Sequence, residues 1–310
     1  MIAVLCGGVG GSRFLQGVTS IVPPEEIVAI VNTGDDEEFF GLHVSPDPDT
    51  VTYALAGIVD EARGWGIQGD TFHWLEAMRR FSDETWFQIG DRDLATHLFR
   101  TRRLREGASL SRVAAELAER LEVRTRILPM SDDRVRTVIE TGEGPLAFQR
   151  YLVQRGARDR VRGVRFEGAG EARPAPGVLE ALQHAEAILI APSNPIASIG
   201  PILALPGLRD AVQARRDRVA AVSPILSSSS LQPPAAELLS GLGHEVSALG
   251  VARLYKDIAR TFVLDRRDAA LADGVRQLGM ESVVTETEMQ DLKAKEALAR
   301  AALESLGWQS

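Results

Sequence analysis

The feature that most constrains this chain lies at its start. Ile2 to Cys6 form an unbroken apolar run that leads straight into Gly7, Gly8, Val9, Gly10 and Gly11. A helical pattern follows from Ser12 to Ile21, and a second apolar run spans Ile27 to Val31. A short apolar run without polar alternation reads as a strand buried on both faces. Two such strands joined by a helix pair in parallel, because parallel neighbours need a crossover connection of this length. The chain is therefore expected to be α/β, with a mostly parallel sheet flanked by helices and ligands bound at the carboxyl ends of the strands.

Later segments repeat the theme. Ala187 to Ala191 ends in Pro-Ser-Asn-Pro and Val219 to Val222 ends in Ser-Pro-Ile, so both read as buried strands opening into loops at the same sheet edge. Helical patterns cover Thr50 to Ala62, Asp70 to Phe81, Asp91 to Arg105 and Leu110 to Leu121, and a basic helix follows Pro206 and Gly207. Leu292, Ala297, Leu298, Ala301 and Leu306 mark a closing helix over Asp291 to Leu306. Between Arg134 and Gly168 the character changes, with Val135, Val138 and Ile139, then Phe148 and Tyr151, then Val161, Val164 and Phe166 among arginines. A small inserted antiparallel and helical cap is expected at 134–168, within a single domain of residues 1–310. There is no internal repeat or low-complexity tract, and Ser227 to Ser230 followed by Pro233 and Pro234 is the one loop-like run.

The 310 residues carry 35 Lys+Arg against 43 Asp+Glu, a net charge of -8. That balance opposes docking on phosphate backbones or anionic lipid, so neither nucleic acid nor a membrane is an expected partner. No stretch approaches the roughly 18 apolar residues of a membrane helix, and no basic region precedes the first apolar run, which points to the cytoplasm. The single cysteine, Cys6, cannot form an internal disulfide and reads as a small core residue in a reducing compartment.

Several motifs can carry chemistry. Gly7, Gly8, Gly10 and Gly11 let backbone N–H groups approach a phosphate at a helix N-terminus, or simply make a tight strand-to-helix turn. The Lys-Ser/Thr pair of a Walker loop is absent, and no acidic residue closes the second strand as a dinucleotide fold requires. Asp35 and Asp36 follow the second strand, while Asp47 and Asp49 open the next helix. Four carboxylates at the edge that bears the glycine turn suit Mg²⁺ beside a diphosphate, although Asp47 or Asp49 also suits a helix cap. Arg92 is a candidate phosphate clamp, or a partner for Asp93; Asp91 is a candidate ligand contact or a cap. His97 on a helix is a catalyst or a packed side chain. Ser131, Asp132 and Asp133 hold ligand hydroxyls or form a hydrogen-bonded turn. Ser193 and Asn194 offer a hydroxyl and an amide to a second phosphate or a nucleobase, and Trp65, Trp74, Trp86 and Phe87 are core residues or a wall for a planar ligand.

Taken in order, seven segments resemble one family, the 2-phospho-L-lactate transferases (CofD, called FbiA in some bacteria) that build the deazaflavin coenzyme F-420. They are Gly-Gly-Val-Gly-Gly at 7 to 11, Asn-Thr-Gly-Asp-Asp at 32 to 36, Ser-Pro-Asp-Pro-Asp-Thr at 45 to 50, Arg-Gly-Trp-Gly at 63 to 66, Gly-Asp-Arg-Asp-Leu-Ala-Thr-His at 90 to 97, Leu-Pro-Met-Ser-Asp-Asp-Arg at 128 to 134 and Ser-Asn-Pro-Ile-Ala-Ser-Ile-Gly at 193 to 200. The resemblance implies a Rossmann-like core and Mg²⁺-dependent transfer of a phospholactyl or related group. The group would pass from a guanosine diphosphate conjugate to the ribityl hydroxyl of the deazaflavin Fo, releasing GMP.

Carried over by position, Asp49 would contact the deazaflavin hydroxyl and Gln88 would make a second deazaflavin contact; Asp91 and His97 are further candidates for binding the deazaflavin. Arg92 joins Asp49 as a catalytic candidate. Asp35, Asp36, Asp47 and Asp49 would hold the metal, and Gly7, Gly8, Gly10, Gly11, Ser193 and Asn194 the phosphates and nucleotide. The chain departs from the family at Leu226 and Ser227 to Ser230, where relatives carry a glycine-rich stretch. Phospholactate, phosphoenolpyruvate and phosphoglycerate donors therefore all remain open, as does a homodimeric state. The competing reading is a YvcK-like regulator that binds a nucleotide sugar without catalysis, against which Arg-Gly-Trp-Gly and Gly-Asp-Arg-Asp speak. A dehydrogenase lacks its ribose-binding acid.

Overall fold

The apolar runs become strands of one parallel sheet in a computed structural model that describes residues 1–226 and 234–308. In chain order the strands are β1 (Ile2–Cys6), β2 (Ile27–Val31), β3 (Glu37–Phe39), β4 (Leu42–Val44), β5 (Arg126–Pro129), β6 (Arg136–Thr141), β7 (Gly144–Ala147), β8 (Val161–Glu167), β9 (Ala187–Ile190), β10 (Val219–Val222), β11 (Thr261–Asp265) and β12 (Glu281–Thr285). The seven-stranded sheet runs β12-β11-β10-β9-β1-β2-β5, and every pairing in it is parallel. From β1 the chain moves outward through β2 to β5, then returns to β9 on the other side and continues to β12. The winding reverses between β1 and β9, so the loops leaving those two strands diverge and open a crevice at their carboxyl ends.

Both faces of the sheet are covered. Val4 and Cys6 of β1 pack with Phe14, Leu15 and Val18 of α1 (Gly8–Ile21) and with Leu298, Ala302 and Leu303 of the closing helix Leu292–Glu304. On the other face, Ala3 and Leu5 share a core with Ile188, Ile202, Val251 and Phe262. The expected antiparallel excursion exists as a three-stranded sheet ordered β7-β6-β8. Its Val135, Ile139, Phe148 and Tyr151 belong to that same core.

Four differences from the sequence reading matter for the site. Helix α1 begins at Gly8, not Ser12, so three of the glycines form its first turn. Helix α2 spans Pro46–Leu55 instead of Thr50 to Ala62, since proline is tolerated in a first turn whose N–H groups have no intrahelical partner. Asp47 and Asp49 therefore lie inside the helix. Helices α3 (His73–Met78), α4 (Asp93–Arg105) and α5 (Leu110–Arg120) are shorter than expected or match. Finally, β11, β12 and the β3-β4 hairpin have no counterpart in the sequence reading. The hairpin turns through Phe40 and Gly41, both at positive φ (55° and 73°), as a two-residue primed turn demands. Among the described residues no helix is long and apolar enough to cross a membrane, and the serine run at 227–230 lies outside them.

Candidate active site

The glycine turn is a place of close approach as much as a cradle. The Gly7 N–H donates to Ser193 Oγ at 3.1 Å, and that hydroxyl donates back to the Gly7 carbonyl at 2.7 Å, which ties the ends of β1 and β9 together. A Cβ at Gly10 would sit 2.2 Å from the Pro192 carbonyl oxygen, and Gly8 stands at φ +64°. Gly7, Gly8 and Gly10 face a cavity of about 800 Å³ in the crevice, while Gly11 is turned inward against Cys6 and Ser193. Cys6 is buried, and burial pushes its thiol far above the usual range, as a core role requires.

Asn32 organises the acidic residues. Its Nδ2 donates to Asp35 Oδ1 and to Asp47 Oδ2, each at 2.9 Å, and its Oδ1 accepts from the Gly34 N–H at 2.8 Å. Asp35 and Asp47 are both 6% exposed and both line the cavity. Burial raises the Asp35 carboxyl well above its ordinary value, reinforced by the charges of Asp47 and Asp36. Burial likewise pushes Asp47 up, opposed by Asn32 and by the Gly8 N–H, which donates to it at the start of α1. Gln149 reaches in from the antiparallel excursion and donates to Asp35 Oδ2 at 2.8 Å.

The four aspartates do not form one ligand set. Asp36 turns away, its Oδ2 accepting from Ser45 Oγ at 2.6 Å and lying 3.0 Å from His43 Nε2. Asp49 is held by Arg100 of α4, whose Nη1 donates to Oδ2 at 3.1 Å and whose Nη2 donates to Oδ1. Among the described residues no three His, Cys, Asp or Glu side chains converge as a metal-holding group. The pair that remains together is Asp35 with Asp47.

A second buried network adjoins Asp49, and its His97, Asp93 and Tyr53 also line the cavity. Arg100 Nη1 lies 3.1 Å from His97 Nδ1 and can only donate, so His97 accepts there and carries its hydrogen on Nε2, which faces Asp93 Oδ2 at 3.3 Å. Tyr53 donates its hydroxyl to Asp93 Oδ1 at 2.7 Å. Burial pushes Asp49 up, against the pull of the Arg100 charge. Asp93 ends below its ordinary value, because His97 and Tyr53 outweigh the effect of burial.

Part of the cavity wall is aromatic, set among aliphatic residues such as Val44, Leu152 and Val153. Trp65, Trp86 and Phe87 line it, with Gln88 at the rim; Phe39 stacks on Phe87 at 4.1 Å between centroids. Trp74 is instead a packing residue whose Nε1 donates to the Ile89 carbonyl at 2.8 Å. Asn194 lines the opposite side, its Oδ1 accepting from the Ile196 and Ala197 N–H groups and its Nδ2 buried without a partner.

Two candidates lie elsewhere. The Arg92 side chain is exposed, outside the cavity, and donates to the Gln68 carbonyl at 3.3 Å. Asp91 accepts from the His73 and Trp74 N–H groups and so caps α3. The Ser131-Asp132-Asp133 turn is also spent on structure: Asp132 accepts from Ser111 of α5, and Asp133 from the Arg173 N–H.

The sequence reading missed Asn32 as a hub, Gln149, Tyr53 and Arg100. For Arg100 a signal exists, since Asp93, His97 and Arg100 stand at i, i+4 and i+7 on one helix face. Nothing local marks Gln149.

Residues 2–302 match the sequence model of a family described as 2-phospho-L-lactate transferase CofD. The chain belongs to this 2-phospho-L-lactate transferase family. A 2-phospho-L-lactate transferase of Methanosarcina mazei is 40% identical over 302 residues, covering 97% of this chain and 99% of the relative. A phosphoenolpyruvate transferase of Streptomyces griseus is 42% identical, covering 98% of this chain and 97% of the relative. The CofD family therefore includes relatives named for two different acids. In fold, the chain is similar to a UPF0052 family protein of Bacillus halodurans, with a TM-score of 0.68 at 18% identity over 97% of this chain and 98% of that one. The relatives at about 40% identity are named as transferases, in line with the transferase reading.

Proposed function

We propose that this CofD-family transferase moves a phosphate-linked three-carbon acid from a guanosine diphosphate conjugate to the terminal ribityl hydroxyl of the deazaflavin Fo, with Mg²⁺ as the ion. The observation that carries this reading is the Asp35–Asn32–Asp47 cluster at the first turn of α1, sharing one cavity with Asp49 and an aromatic wall. In the transfer, the hydroxyl oxygen bonds to the phosphorus that bears the acid, the bond from that phosphorus to the bridging oxygen breaks, and GMP leaves with the bridging oxygen. The hydroxyl proton passes to a neighbouring base or water. Such a displacement needs alignment and charge neutralisation more than a special nucleophile.

The two buried carboxylates fit a divalent cation. Mg²⁺ is usually held through one or two carboxylates, with substrate phosphate and water completing its shell, and a raised proton affinity is what two buried acids show when no cation is beside them. Held by Asp35 and Asp47, Mg²⁺ would neutralise charge on the pyrophosphate. Asn32 and Gln149 hold those two carboxylates in place. Asp49, fixed by Arg100, orients the deazaflavin hydroxyl by accepting its hydrogen bond. Trp65, Trp86 and Phe87 offer faces to the planar ring, Gln88 a polar contact at the rim, and Asn194 Nδ2 a donor to the nucleotide. The donor acid is phospholactate, phosphoenolpyruvate or phosphoglycerate, and the cytoplasm is the proposed location.

The test is to incubate the protein with Fo, Mg²⁺ and each of the three guanosine conjugates in turn, following GMP and the phosphodiester product by mass spectrometry. GMP formation that needs both Fo and Mg²⁺ is the expected result. No GMP from any conjugate would refute the reading.

A further inference from the structure

We propose that Arg100 is a positioning residue for the transfer and acts through Asp49; the inference rests on the reading of Asp49 as acceptor of the substrate hydroxyl's hydrogen bond. The inner face of α4 carries the argument. A helix on a domain surface normally buries an apolar stripe, yet the buried residues of α4 are Asp93, His97, Arg100 and Thr101, all of them polar. They fall at i, i+4, i+7 and i+8, one continuous face turned toward α2 and the end of β4. Thr101 Oγ1 accepts from the His43 N–H at 2.8 Å, and Arg100 occupies the middle of the stripe at 2% exposure.

Stability alone does not call for such a face, because a buried ion pair is commonly matched or surpassed by apolar residues of similar volume. The stripe instead immobilises one carboxylate. The planar guanidinium spans both oxygens of Asp49, an arrangement that a lysine ammonium cannot reproduce. His97 accepts from the guanidinium, Asp93 and Tyr53 hold His97 in turn, and these three line the cavity beside Asp49. Asp49 lines the cavity and Arg100 does not. Each Asp49 oxygen accepts one bond from Arg100 and keeps a second acceptor site, so the arginine sets the direction in which Asp49 meets a ligand without touching that ligand.

The experiment compares transfer to Fo by Asp49→Asn, Arg100→Met, Arg100→Lys and the double variant Asp49→Asn/Arg100→Met, with folding checked by circular dichroism. Misplacing a group by about 1 Å costs on the order of 10²-fold, so Arg100→Met should lose about that much in kcat with a smaller change in KM. Because the arginine acts through Asp49, the double variant should be no slower than Asp49→Asn alone. It also removes the Asp49 charge that Arg100→Met alone would leave without its arginine, and keeps the test open if Arg100→Met fails to fold. Arg100→Lys should fold and remain slow, and added guanidinium should restore turnover to Arg100→Ala where methylammonium does not. Losses that multiply in the double variant, or a fully active Arg100→Lys, would overturn the proposal. A fully active Asp49→Asn would instead remove the reading of Asp49 beneath it.

Discussion

Replacing Asp47 with Asn should stabilise the protein at neutral pH even though it strips the site of a carboxylate. Burial pushes the Asp47 carboxyl up to about 6 from an ordinary aspartate value of 3.8, with the Asp36 charge adding to it and Asn32 and the Gly8 N–H opposing it. A carboxyl whose proton affinity is raised by folding favours the folded state below about pH 4 and loses that contribution as pH climbs through about 6. At about 1.4 kcal/mol per tenfold change in affinity, holding Asp47 ionised at pH 7.5 costs the fold about 3 kcal/mol. Asparagine avoids that cost but offers one oxygen to two donors, which forfeits a hydrogen bond worth about 1 kcal/mol. The net expectation is a gain of about 2 kcal/mol at pH 7.5, turning into a loss of about 1 kcal/mol near pH 4. Urea unfolding of both proteins, in chelator, between pH 4 and 7.5 measures the difference; groups remote from Asp47 cancel, while Asp35, which the Asp47 charge raises, is relieved in the variant and adds to the gain. An Asp47→Asn protein less stable than the unaltered chain at pH 7.5, or a difference that does not vary with pH, would refute the reasoning.

Other consequences are simpler to measure. At 100-fold over its Kd, Mg²⁺ should stabilise the unaltered protein by about 2.7 kcal/mol, visible as a raised melting temperature, and the rise should vanish in Asp35→Asn. Gly10→Ala should cost about 1–3 kcal/mol in thermal or urea unfolding, because the new methyl meets the Pro192 carbonyl, which belongs to the backbone and must shift. Arg92→Ala should change unfolding by no more than about 0.5 kcal/mol and leave turnover intact, since its side chain is exposed outside the cavity.

The legibility of the site followed the range of the interactions. Glycines directly after an apolar run and acids directly after another are local patterns, so Gly7 to Gly10, Asp35, Asp47 and Asp49 could be placed at one rim from their order alone. The helix at Asp47 was misplaced by four residues, because prolines at 46 and 48 look like breakers and are in fact allowed in a first turn. Arg92 stood beside more motif residues than Arg100 did, yet the arginine that reaches the site is Arg100. It stands among Arg102, Arg103 and Arg105, and a run of basic residues looks like a solvated face until the partner helix is known.

By itself the sequence determined the parallel sheet, the rim at which its ligands gather and the family to which the chain is similar, because strand burial, crossover length and turn chemistry are encoded over a few neighbouring residues. Only the tertiary structure decided how the aspartates divide: Asp35 with Asp47 about Asn32, Asp36 with His43 and Ser45, Asp49 with Arg100. Those partners lie up to 51 residues apart in the chain, and which carboxylate meets a cation, an arginine or a hydroxyl depends on directions that exist only after the helices have packed.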